Sequence, residues 1–273
     1  MSDLLVHLVG AICFVAVFLI VTQDLQIFPG ALFSVFRGRT RRAKSLPYGV
    51  ESQFIDTADG CRLELWRLPA EDPRAYIAIV FHGNAGSLEN FFLMQLWFQE
   101  QGITSYGFDY RGFGHSSGWP NERGIERDSD AVWGYVLAGG KVDPSRIIIG
   151  GFSAGGAPAA RIASLHKPKL LVLVSAFTSI PAVISEHPLL RPLARFSWNQ
   201  LSTETYLSRL SESSLILMHG AVDTIIAPHH SDRLAARYCG TGEVRCLLIA
   251  GAGHNDVFFA GRHALAGEMG QLL

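Results

Sequence analysis

Residues 146–158 read Arg146-Ile147-Ile148-Ile149-Gly150-Gly151-Phe152-Ser153-Ala154-Gly155-Gly156-Ala157-Pro158. The first four residues predict a short buried strand, and the Ala-rich stretch 155–165 predicts a helix. Between them Gly151, Ser153 and Gly155 complete a G-x-S-x-G sequence. A serine so placed sits in a strained strand-to-helix turn that lifts its hydroxyl above the sheet. Side chains two residues to either side would clash there, hence the glycines. The following helix aims its N-terminal dipole at the same point, where negative charge would be stabilised. Glycine and serine are common, so the pattern alone is weak; its position between strand and helix gives it weight. Ser153 is the candidate nucleophile. Pro158 falls in the first turns of the helix, where its missing N–H costs little.

Outward from this stretch, strand and helix signals alternate. Glu51–Asp56 and 61–68 flank Asp59-Gly60, a hairpin turn signal. Strands follow at 76–81, 103–108, 170–174, 215–218 and 244–249, with helices at 88–100, 124–137, 230–238 and 256–272. Short apolar runs without polar alternation imply strands covered on both faces. Their alternation with helices implies crossover units in a mostly parallel sheet, the α/β class. In such sheets the chemistry sits at the carboxyl ends of the strands.

A serine hydroxyl is a poor nucleophile until a base removes its proton. The chain has 10 histidines. His254 is favoured because it follows a strand in Ala250-Gly251-Ala252-Gly253-His254-Asn255-Asp256. His82, His115 and His219 also sit at strand ends, so spacing alone leaves the choice open. An acid between serine and histidine in chain order is Asp223, again just past a strand. Its role would be to hold the imidazole tautomer without accepting the proton. Asp256 is the runner-up, its position favouring a helix cap. Two backbone N–H groups should face the developing oxyanion. Ala154 supplies one. The loop Phe81-His82-Gly83-Asn84-Ala85-Gly86 supplies the other, from Asn84 or, close behind, Ala85.

Bulk properties set bounds. The chain has 273 residues, of which 48% are hydrophobic and 17% charged, enough for one large core. A net charge of -1 gives no electrostatic reason for a nucleic-acid partner. Cys13, Cys61, Cys239 and Cys246 form no C-x-x-C pair and no zinc spacing, so four free thiols are expected. Residues 4–21 are apolar apart from His7 and Gly10. As a helix they rise roughly 27 Å, enough to cross most of a bilayer core. Residues 1–25 are therefore expected to form a membrane anchor helix and 26–47 a basic connector. Residues 48–273 are the expected catalytic domain, with a short lid-like insertion at about 177–212. No Lys or Arg precedes the apolar run, whereas Arg37, Arg39, Arg41, Arg42 and Lys44 follow it, which favours a cytoplasmic catalytic domain.

Taken together, several ordered motifs resemble one family. They are Phe81-His82-Gly83-Asn84-Ala85-Gly86, Asp109-Tyr110-Arg111-Gly112-Phe113-Gly114-His115-Ser116-Ser117-Gly118, and Gly151-Phe152-Ser153-Ala154-Gly155-Gly156. Phe177-Thr178-Ser179, His219-Gly220 with Asp223, and Gly253-His254 continue the set. The chain resembles the alpha/beta-hydrolase superfamily, in particular its membrane-anchored abhydrolase-domain-containing branch. Gln23-Asp24 followed by Phe28-Pro29 after an apolar run is also similar to that branch. The resemblance implies a Ser153–Asp223–His254 triad and a structural role for Asp109 and Arg111. It implies no metal or organic cofactor. The expected activity is hydrolysis of an acyl ester or thioester, with peptide or amide cleavage and a non-catalytic tethered scaffold as alternatives. The insertion carries Ile180, Val183, Ile184, Leu189, Leu190, Phe196 and Trp198, enough to line an apolar acyl pocket or simply to pack onto the core.

Overall fold

The computed structural model describes residues 3–36, 46–71, 76–140 and 142–273. Within them the chain opens with helices α1 (Asp3–Val21), α2 (Gln23–Ile27) and α3 (Pro29–Phe36). Then come β1 (Glu51–Asp56), β2 (Arg62–Leu68), β3 (Ile77–Phe81), α4 (Leu88–Glu100), β4 (Thr104–Phe108), α5 (Glu122–Gly140) and β5 (Ile147–Phe152). After α6 (Gly156–His166) and β6 (Leu170–Val174), the insertion carries α7 (Ile180–Glu186), a 3₁₀ turn (Arg191–Phe196) and α8 (Thr203–Leu207). The chain closes with β7 (Ser214–Gly220), α9 (His229–Arg237), β8 (Val244–Ile249) and α10 (Val257–Leu272).

The strands form one sheet in the order β1-β2-β4-β3-β5-β6-β7-β8. The β1–β2 and β2–β4 pairs are antiparallel, and every pair from β4 to β8 is parallel. Helices cover both faces because the central parallel strands β3, β5 and β6 are apolar on both. In β5, Ile147 and Ile149 join the cluster that includes Ile125, Val132, Val136 and Ala160 from α5 and α6. Ile148, between them, joins the opposite cluster with Trp97 and Phe98 of α4 and Leu265 and Met269 of α10. The same alternation runs through Leu171/Val172 and Leu215/Ile216, the period-2 geometry of a pleated strand buried on both sides.

Strand ends differ from the sequence reading where glycine interrupts the apolar run. The strand expected at 146–149 continues through Phe152, because Gly150 and Gly151 pair with Val172 and Leu173 of β6. A ladder on each side overrides the weak strand preference of glycine. Pro158 lies in the first turn of α6, where no intrahelical N–H bond is lost. All four cysteines are unpaired.

Helix α1 exposes most of its apolar side chains, from Leu5 to Val21. Among the described residues no helix is long and apolar enough to cross a membrane. The described side chains of α1 begin at Leu5, and the basic cluster Arg37, Arg39, Arg41, Arg42 and Lys44 lies outside the described residues. Within 26–47, Ile27 of α2, Ala31 of α3 and Phe28 between the two helices are buried against the rest of the chain.

The loop after β4 is tied down by charge. Arg111 lies 2.7 Å from the fully buried Asp128 of α5 and 2.9 Å from Asp59 of the β1–β2 turn. The Arg111 guanidinium holds the Asp59 carboxyl well below the usual carboxylate range. Truncating one partner of a buried pair strands the other charge. Arg111→Met is therefore expected to lower unfolding free energy by about 3 to 5 kcal/mol, read from urea denaturation midpoints. A change below about 1 kcal/mol would show that the loop is held by other contacts.

Candidate active site

Strand β5 ends at Phe152, and a 3₁₀ turn over Ser153–Gly155 leads into α6. Ser153 has φ 51°, a left-handed conformation costly for a side-chain-bearing residue. The turn closes only because its flanking glycines lack a Cβ. A Cβ on Gly155 would collide with the carbonyl oxygens of Phe81 and His82, and one on Gly151 would come 2.7 Å from the Ala159 Cβ.

Two loops at neighbouring strand ends bring partners to Ser153. His254 lies in the loop between β8 and α10; its Nε2 is 3.1 Å from Ser153 Oγ. Its Nδ1 is 2.7 Å from Oδ2 of Asp223, which lies just past β7. A carboxylate accepts, so Nδ1 carries the proton and Nε2 presents its lone pair to the serine. The other Asp223 oxygen accepts from the N–H groups of Ile225 and Ile226, each at 2.9 Å. Burial pushes the Asp223 carboxyl up, but hydrogen bonds from the Ile226 N–H and His254 outweigh it and hold the acid below its ordinary range. It therefore stays ionised beneath the imidazole.

Of the histidines that spacing left open, His254 is the one the structure places against Ser153. The His219 Nε2 donates to the Ile226 carbonyl at 2.9 Å and lies 3.3 Å from Asp223 Oδ2. Burial lowers its pKa, leaving it a neutral support behind the acid. His115 Nδ1 sits 3.0 Å from Glu64 in another part of the fold. Asp256 accepts from the Gly253 N–H at 2.8 Å and makes no side-chain cap on α10. It shapes the His254 loop instead of contacting the imidazole.

His82 organises the loop at the end of β3. Its Nδ1 lies 2.7 Å from the Gly83 carbonyl, which can only accept, so Nδ1 donates. Burial holds the imidazole at about 4, so it is neutral at pH 7. Its Nε2 has no hydrogen-bond partner among the described residues and lies 3.5 Å from Asp109 Oδ1. Burial also pushes the Asp109 carboxyl well above its usual range. The Asn84 carbonyl accepts from the Gly30 N–H at 3.1 Å, and its side-chain amide donates to the Ile27 carbonyl at 2.9 Å. In a trans peptide the C=O and the next N–H point opposite ways. Fixing the Gly83 and Asn84 carbonyls therefore fixes the Asn84 and Ala85 N–H directions before any ligand arrives.

This contribution from α2 and α3 had no signal in composition or spacing. Gln23, Gln26 and Ile27 of α2 also wall a cavity of about 690 Å³ that contains Ser153 and His254. Its remaining lining is largely apolar, led by Phe91, Phe152, Phe177, Ile180, Val183 and Phe258. Among the described residues no Asp, Glu, Lys or Arg lines it.

Away from Ser153, among the described residues, one set of side chains has metal-ligating atoms together: Glu186, His229 and His230. Glu186 Oε1 is 2.8 Å from His229 Nε2 and 3.0 Å from His230 Nε2. Both Nε2 atoms thus face one carboxylate oxygen, and the two rings stack with planes 22° apart. The cluster ties the end of α7 to the start of α9.

Residues 71–213 match the family described as "Serine aminopeptidase, S33". Among curated proteins, the chain is 32% identical over 212 residues to the uncharacterized protein Rv2307c of Mycobacterium tuberculosis, covering 77% of this chain and 74% of that one. It is 28% identical over 222 residues to the uncharacterized membrane protein YNL320W of Saccharomyces cerevisiae, covering 80% and 77%. Among solved structures, an esterase of Pyrococcus furiosus superposes with a TM-score of 0.70 at 18% identity, covering 85% of this chain and 95% of that chain. The chain belongs to the serine aminopeptidase S33 family of the alpha/beta-hydrolase superfamily, within its abhydrolase-domain-containing branch.

The His82 environment links stability to pH. The ring binds its proton at about 4 when folded and at 6.5 when free, so between those values the unfolded chain binds more protons. The stabilisation is complete above about 6.5 and is lost as pH falls toward about 4, by roughly 3 kcal/mol at most. Urea midpoints across this window are expected to fall with pH in the wild type and less steeply in His82→Asn. Equal slopes would place the acid sensitivity elsewhere.

Proposed function

We propose that the protein is a serine hydrolase that cleaves an acyl ester or thioester of a lipid-like or acylated substrate. The observation that carries this is the Ser153–His254–Asp223 hydrogen-bonded chain at the floor of an uncharged, largely apolar cavity. His254 takes the Ser153 proton as Oγ attacks the acyl carbon. The tetrahedral oxyanion is held by the Ala154 N–H at the start of α6 and by Asn84, with Ala85 beside it. The proton passes from His254 to the leaving alcohol or thiol. Water, deprotonated by the same imidazole, then releases the acyl group.

The family description favours a second reading, removal of an N-terminal residue from a peptide. An aminopeptidase needs an anionic group to receive the substrate's α-ammonium, because an unpaired buried charge is costly. The cavity offers no carboxylate among its described lining residues, which supports the acyl ester over the peptide. A scaffold without catalysis has no use for an aligned base and acid behind a strained serine.

We also propose that α1 anchors the protein in a bilayer, as residues 1–25 in a chain whose catalytic domain is residues 48–273. The largely exposed apolar surface of α1 supports this. So does the membrane-protein name of the yeast relative. The basic cluster after α1 favours a cytoplasmic catalytic domain. Protease added outside sealed vesicles of native orientation should leave that domain intact; digestion would reverse the orientation.

Ser153→Ala is expected to abolish both fluorophosphonate labelling and hydrolysis of p-nitrophenyl acyl esters. His254→Ala should lower kcat on the order of 10⁴-fold. Along an acyl series kcat/KM should rise by up to about fourfold per buried methylene. Labelling that survives Ser153→Ala would identify another nucleophile. Faster turnover of aminoacyl amides than of acyl esters would favour the peptidase.

A further inference from the structure

The insertion has a second face that catalysis does not use. Its segment 187–203 contains no Asp or Glu, yet carries Arg191, Arg195 and the apolar residues Leu189, Leu190, Leu193, Phe196 and Trp198. Leu189 is 83% exposed, and Phe196 and Trp198 are each about half exposed. The Arg195 guanidinium lies 4.8 Å over the Phe196 ring. An aromatic pair preceded by cations, in a segment that itself carries no acid, is the composition of a stretch that sits among lipid headgroups.

The position of this face is fixed by the residues that follow α1. Gln23 donates to the Phe196 carbonyl at 3.1 Å, and its side-chain oxygen accepts from Ser197 Oγ and the Trp198 N–H, each at 3.2 Å. Asn199 donates to Asp24 at 2.8 Å. The segment is thus stapled to α2, and Gln23 begins two residues beyond the end of α1. The nearby acids are committed: Asp24 to Asn199, Glu122 to the Gln200 and Leu201 N–H groups, and Glu186 to His229 and His230. The 3₁₀ turn that carries Arg191, Arg195 and Phe196 also packs against α1, whose apolar surface is exposed.

The same two elements wall the cavity. Helix α7, on the inner side of the insertion, presents Ile180, Val183 and Ile184 to it, and α2 presents Gln23, Gln26 and Ile27. At its rim Ile225 and Phe259 are 60% and 43% exposed.

We propose that residues 189–198 dock on an anionic bilayer surface beside α1, Phe196 and Trp198 at headgroup depth and Arg191 and Arg195 on lipid phosphates. The cavity then opens at the lipid surface and draws its ester from the bilayer. This substrate route rests on the Ser153 hydrolase function proposed above; the docking itself does not.

The full chain would be reconstituted into phosphatidylcholine/phosphatidylglycerol vesicles with brominated acyl chains. Tryptophan quenching should be strong in the wild type and measurably weaker in Trp198→Phe. An Arg191→Glu/Arg195→Glu variant should reduce the quenching. It should also lower hydrolysis of a vesicle-borne long-chain ester on the order of tenfold, while hydrolysis of soluble p-nitrophenyl butyrate stays within about twofold. Leu189→Asp, at a side chain 83% exposed, gives a second variant that leaves the core alone. Quenching indifferent to Trp198, or an unchanged ratio of vesicle to soluble rates, overturns the docking. A dimer dissociated by these substitutions with quenching unaltered would also overturn it, making the face a contact between copies. Loss of all Ser153-dependent hydrolysis would instead overturn the catalytic function, and quenching would then decide the docking alone.

Discussion

Ser153 is held at φ 51°, and the rest of the site is arranged around that turn. A left-handed non-glycine residue costs of order 1 to 3 kcal/mol and persists only when its surroundings over-determine it. Here β5 is paired on both sides, to β3 and β6, so the strand delivering Ser153 cannot relax. On the far side α6 starts at Gly156 and packs its Ala-rich face on the sheet. The glycines at 151 and 155 remove the Cβ atoms that would otherwise hold the strand and helix apart. One turn thereby sets the serine hydroxyl, the Ala154 N–H and the helix dipole together.

Around that turn, burial and hydrogen bonding sort the ionisable groups by role. Asp223 remains ionised because its hydrogen bonds outweigh burial. His219 and His82 are kept neutral by burial, one behind the acid and the other under the Gly83 loop. Three histidines in similar sequence settings thus differ through their surroundings, and it is His254 that lies between Asp223 and Ser153.

The segment after the apolar helix ties the N-terminus to the catalytic end of the sheet. Ile27 and Gly30 grip Asn84, Gln23 grips the insertion, and both sets of contacts border the same cavity. A helix so placed orders the Asn84 loop and walls the substrate space. Through these contacts the segment after α1 is joined to the elements that wall the cavity.

The alternation of apolar runs with helical stretches was enough to specify a mostly parallel α/β sheet, because strands buried on two faces must be apolar throughout. Gly151, Ser153 and Gly155 marked the elbow, since its steric demand is local and falls on consecutive residues. Strand ends were less legible: Gly150 and Gly151 belong to β5 only because neighbouring ladders hold them. Which histidine faces Ser153 could not follow from spacing, as four of them end strands. That choice needed the β7 and β8 loops to converge across the sheet edge. The grip of Ile27 and Gly30 on Asn84 was likewise invisible, because backbone carbonyls and N–H groups carry no side-chain signature. The elbow is written in neighbouring residues and could be read from sequence; contacts between residues more than fifty positions apart exist only once the chain has folded.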